Sequence, residues 1–184
     1  MNTMKRLFLC FGLLFGARLC AAETARATAS PNGRYVFVMV PAGEDEKAHP
    51  AHGTLYEVSA DGSLKAHWTT KGWYAPDMVV ANDGAHIIAL NTWPEGDQPD
   101  ATIGVAFYRS GKLVKSYAIR DLVKEKEAVR GSFSHYRWLA EHPTQQPRLE
   151  EQTFRLITID GTLYNFDLDS GAITKASAVR LFRK

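Results

Sequence analysis

Cysteine is nearly missing from this chain of 184 residues: Cys10 and Cys20 are its only two, and both lie near the start. No hydrophobic run is long enough to span a bilayer as a helix. The longest, Leu7 to Gly16, is about half the length that a ~30 Å hydrocarbon core requires. There is no Gly-rich phosphate loop and no dinucleotide fingerprint. The Asp-bearing turns lack the ligand series of an EF-hand. No nucleophile-elbow pattern surrounds Ser132 or Ser134. These absences remove the function classes that a short motif can announce, and no cofactor is indicated.

The start reads as an export leader. Lys5 and Arg6 precede the apolar run, and Cys20-Ala21-Ala22 offers small residues for cleavage after Ala22. On this reading residues 1–22 are a signal peptide and 23–184 form one domain, periplasmic or secreted. Both cysteines leave with the leader, so stability rests on burial without a disulfide. The leader also carries three of the 22 Lys and Arg but none of the 20 Asp and Glu. What remains is 19 bases against 20 acids, net −1, although the whole chain is formally +2. That balance gives no reason to expect nucleic acid or a membrane surface as partner.

What the chain does have is a repeat. Gly53-Thr54-Leu55-Tyr56 leads into Asp61-Gly62, and Gly161-Thr162-Leu163-Tyr164 leads into Ser170-Gly171. A weaker copy runs from Gly104 to Tyr108 and into Ser110-Gly111. Segments rich in β-branched and aromatic residues flank these turns, as strands require. Three units follow, at about 23–70, 73–119 and 134–178. The third begins with a strand from Ser134 and then a loop over 142–151. Asp121 to Val129, with a capping Asp and a terminating Gly131, predicts one connecting helix over 121–129.

Ser30-Pro31-Asn32-Gly33-Arg34-Tyr35-Val36 resembles the "SPDGRY" hairpin that begins blades in TolB-like and lactonase-like β-propellers. Asn82-Asp83-Gly84-Ala85-His86-Ile87 is a looser example. The resemblance covers about a dozen residues per copy and implies a blade-like hairpin; no active-site residue is carried by it. The expected fold is all-β: three four-stranded antiparallel β-meander units in a propeller-like partial stack with a short connecting helix. A β-sandwich or curled barrel is the alternative. Three units fall short of the four to eight that close a ring. The outer faces therefore need a cap, supplied by the helix and termini or by a second copy of the chain. Met78-Val79-Val80 and Ile87-Ile88-Ala89-Leu90 are apolar on both faces, which predicts a middle sheet covered on both sides.

Candidate chemistry is sparse. His49 and His52 beside Glu44-Asp45-Glu46 are metal-ligand types, but Pro50 breaks a regular spacing and no third ligand is fixed. His67 and His86 read as cross-strand or edge residues. Trp73, Tyr74, Trp93, Tyr136 and Trp138 sit at strand ends, where aromatics line grooves for ligands or pack between sheets. The expected function is a non-enzymatic, exported binding module for a protein or ligand. A hydrolase or metal-dependent enzyme, assembled from the His- and acid-bearing loops, is the alternative. A homodimer or another protein is expected on an open sheet face or edge.

Overall fold

A computed structural model describes residues 24–96 and 101–182. Residues 1–22, expected to be a leader and holding Cys10 and Cys20, lie outside them. Three four-stranded antiparallel sheets make up the body, each a simple meander. Sheet 1 holds β1 (Arg26–Ala29), β2 (Tyr35–Val40), β3 (His52–Val58) and β4 (Leu64–Lys71). Sheet 2 holds β5 (Asp77–Val80), β6 (His86–Leu90), β7 (Ile103–Arg109) and β8 (Lys112–Ala118). A connecting segment carries the short strands β9 (Arg130–Gly131) and β10 (Tyr136–Arg137), which pair with each other. Sheet 3 holds β11 (Arg148–Glu150), β12 (Thr153–Ile157), β13 (Thr162–Asp167) and β14 (Ile173–Ala178). The sheets stay separate and do not close into a barrel.

They stack face on face with sheet 2 in the middle. Phe37, Met39 and Leu55 of sheet 1 pack on Ile87, Ala89, Ala106 and Tyr108 of sheet 2. The other side of sheet 2 presents Ile88, Leu90, Val105 and Phe107 to Phe154, Leu156, Tyr164 and Phe166 of sheet 3. Alternation along one strand thus feeds two cores, because successive side chains leave a strand on opposite faces. Both Ile87 and Ile88 are sealed from water. Each such side chain contributes roughly 1.5–3 kcal/mol relative to exposure. The fourth strands, β4, β8 and β14, form an outer rim that is largely exposed.

The repeat is real but slipped. Ladder registers pair Phe37 with Leu55, Ile88 with Phe107, and Arg155 with Asn165, and in each sheet the third strand bulges against the fourth just after the second member, at Leu55/Tyr56, Phe107/Tyr108 and Asn165/Phe166, so these couples are equivalent. By the same registers Tyr56 corresponds to Tyr108 and Phe166, not to Tyr164. The slip between the first and third copies is two residues, which keeps every side chain on its own face. Gly53 is required for packing: a Cβ there would lie 2.2 Å from the Phe37 ring. Gly84 takes φ +70° in the β5–β6 turn, and the Tyr35 ring covers it at 2.5 Å from where a Cβ would stand.

Two expectations are corrected. The helix over 121–129 is instead a single turn, α1 (Ile119–Leu122), followed by a 3-10 turn at Lys126–Ala128. The chain leaves the helix because the Asp160 carboxylate accepts the backbone N–H groups of Lys124 and Glu125 at 2.5 and 3.0 Å. Ile119 and Leu122 are driven into the core instead of lining a surface helix. The third unit begins at Arg148, not Ser134. Residues 134–141 are drawn away because Tyr136 and Trp138 enter the core between sheets 2 and 3.

Antiparallel connections sort the loops into two ends. The tight turns at 30–34, 81–85 and 150–152 share one end, where Asn82 Oδ1 accepts from Asn32 N at 2.9 Å. The long connections share the other, here called the loop end. Gly53→Val should destabilise the fold by about 1–3 kcal/mol through overpacking against Phe37. Urea unfolding checks this, and a midpoint equal to wild type would refute the close approach.

Candidate functional site

Trp93 stands at the loop end, where β6 gives way to the 91–102 connection. Its position is set from below. The Trp138 indole, fully buried, donates from Nε1 to the Asn91 carbonyl at 2.7 Å. Tyr136 N–H donates to the Pro94 carbonyl, and Gly96 N–H to that of Ser134. A bridge between Glu95 and His135 completes the seam. The ribbon β9–β10 is thereby held against the 93–96 segment.

On this support Trp93 keeps 41% of its surface exposed. The His135 ring stacks on it with centroids 5.8 Å apart and planes 17° from parallel. The Arg137 guanidinium lies 4.8 Å from the Trp93 ring centre, within cation–π range. Arg137 is steadied by Glu141 at 2.6 Å. Ser134 Oγ and His135 Nδ1 are 2.8 Å apart, which fixes the imidazole for stacking. A cleft of about 260 Å³ opens here between Trp93, Arg137, Glu141 and Gln146. Phe133, at the tip of the ribbon, is fully exposed. The arrangement offers aromatic faces, one cation and hydrogen-bonding groups on one surface.

The other expected residues divide by burial. Tyr136 and Trp138 are core residues and cannot touch a ligand, which corrects their assignment as lining. Trp73 is half-buried and stacks on Tyr108 at 4.2 Å, wedged between sheets 1 and 2, with Nε1 donating to Thr70. The Tyr74 hydroxyl donates to the Thr24 carbonyl at 3.1 Å. His49 and His52 are exposed, and His52 Nδ1 lies 3.1 Å from the Pro50 carbonyl. Among the described residues no group of three or more His, Cys, Asp or Glu is placed to hold a metal. Arg137 was legible in principle. In Tyr136-Arg137-Trp138 the two aromatics point inward, so strand alternation must turn the arginine out.

A second constellation lies at the opposite end. His86, read above as an edge residue, is buried, with Nδ1 2.6 Å from Asp83 and Nε2 3.3 Å from Asp169 of sheet 3. Arg109 reaches the same Asp169 carboxylate at 3.7 Å. Burial pushes the Asp83 carboxyl up. The His86 ring and the N–H groups of Ala85 and His86 outweigh it and hold the carboxyl below its usual value of 3.8. Ser170 and the His86 charge likewise lower Asp167. These contacts join the turns of sheets 2 and 3.

A scan of the chain against protein-family models finds no match, and a search of curated proteins finds none either.

Because the folded Asp83 carboxyl is held below 3.8, its stabilisation is present above that pH and is lost as pH falls through the lower folded value. Asp83→Asn should flatten the slope of unfolding free energy against pH below pH ~4. Urea melts at a series of acid pH values measure the slope, and an unchanged one would remove Asp83 from this role.

Proposed function

We propose that the protein is a non-enzymatic binding module that docks a protein partner on its loop end. The observation that carries this reading is Trp93. It is a large aromatic side chain on a backbone held by bonds at Asn91 and Pro94, partly exposed, and flanked by His135 and Arg137. Trp and Arg are the residue types that dominate binding energy at protein interfaces. A rigid aromatic loses little conformational entropy on docking, so its burial is returned as affinity. The enzymatic alternative draws less support. The His86 ring is buried and ties Asp83 to Asp169 of another sheet, as a structural link does.

The reading includes export, since the leader-like start is followed by a domain without thiols. Mature protein recovered from the producing cell should begin at Glu23. Amino-terminal sequencing tests this, and an intact Met1 would remove export from the proposal.

Peptides selected from a displayed library against the folded protein should bind it and lose affinity for Trp93→Ala by about 30-fold, the scale of a hot-spot truncation. The melting temperature should hardly move, because the ring is exposed. Selected peptides that bind Trp93→Ala as tightly as wild type would sink the site. A selection that yields no binder at all would count against the module itself.

A further inference from the structure

The two outer faces of the stack differ in a way that fits one to the other. The outer face of sheet 1 is apolar and half-exposed: Val36, Val38, Tyr56 and Val58, edged by Ala27 and Ala66. The outer face of sheet 3 carries the cross-strand pair Arg155 and Asn165. Arg155 Nε and Asn165 Oδ1 are both shut off from solvent and make no hydrogen bond. Polar atoms in that state cost free energy unless a partner completes them. Beside them a cavity of about 330 Å³ opens between Ile157, Leu163 and the tail residues Val179 and Phe182.

The repeat says what would cover that face. Phe107 of sheet 2 occupies the position of Asn165, and its ring meets Phe154 and Phe166 of sheet 3 at 5.9 and 5.3 Å. In sheet 1 those two positions are filled by Val36 and Tyr56. Continuing the same packing one sheet further sets Asn165 against Val36 and Tyr56 of a following sheet 1. The Tyr56 ring of that following sheet then lies over the Arg155–Asn165 pair, as Phe166 lies over Phe107. Charge agrees. The exposed Glu44-Asp45-Glu46 at the loop end of sheet 1 would meet Arg180 at the loop end of sheet 3, where Arg148 and Arg155 are already paired with Glu150.

We propose that two copies of the chain close head to tail, each seating the outer face of its sheet 3 on the outer face of the other's sheet 1. The result is a ring of six sheets, within the four to eight that such rings contain. Each copy presents one face of each kind, so two identical contacts exhaust both and leave no open end. A four-stranded sheet face of six-residue strands measures about 20 Å by 20 Å. Two contacts then bury about 1,600 Å² in all, the size of a standard stable interface.

The test is the solution mass of the purified protein by light scattering over a dilution series in the micromolar range. Two chains are expected, unchanged by Trp93→Ala, so failure of the loop-end site and failure of the ring are told apart. Val38→Glu, on a half-exposed position, should give one chain with an unaltered circular dichroism spectrum. If that variant misfolds, cross-linking decides instead. Tyr56→Cys together with Asn165→Cys, treated with a short bis-maleimide, should link residue 56 of one chain to residue 165 of another, as mapped by mass spectrometry. A one-chain mass for wild type, or a mass that grows with concentration as in an open filament, would overturn the proposal. So would the absence of the 56–165 link.

Discussion

Ile87 and Ile88 leave one strand in opposite directions, and neither touches water. That is the constraint from which the rest of the molecule follows. A strand apolar on both faces has no stable position at a surface, so sheet 2 must be covered twice. Sheets 1 and 3 provide the covers and gain their own cores from doing so. Neither cover is itself covered by a further sheet. The middle sheet is therefore an ordinary interior, while the outer two carry all the decisions about what the stack meets next.

The loop end inherits its form from the same core. Wherever a connection crosses from an outer strand to an inner one, a large ring is driven into the wedge between sheets: Trp73 between sheets 1 and 2, Trp138 between sheets 2 and 3. The chain that carries each ring is pinned as a result. The backbone just before Trp93 is held because the buried Trp138 bonds to the Asn91 carbonyl. Packing and binding are thus assigned to neighbouring aromatics that composition alone does not separate.

Period-two patterns made the strands of sheets 1 and 2 legible almost residue by residue, since alternation and Gly-bearing turns act locally. Sheet 3 was less so. Its first strand, β11, is only three residues long, and the more strand-like stretch at 134–141 was claimed by the core. The helix failed for a non-local reason: Asp160, far along the chain, takes the N–H groups that the helix needed. His86 looked like an edge residue because its second carboxylate, Asp169, comes from another sheet. Pairings that depend on how sheets stack leave no mark in a local pattern.

The outer rim has a consequence of its own. Strands β4, β8 and β14 end each meander and present unpaired backbone outward. They also carry Lys65, Lys71, Lys112, Lys115 and Lys175. A strand from another molecule that tried to add to such an edge would bring its own chain against a row of ammonium groups. The rim is a fence against sideways growth, and association is directed along the stacking axis instead.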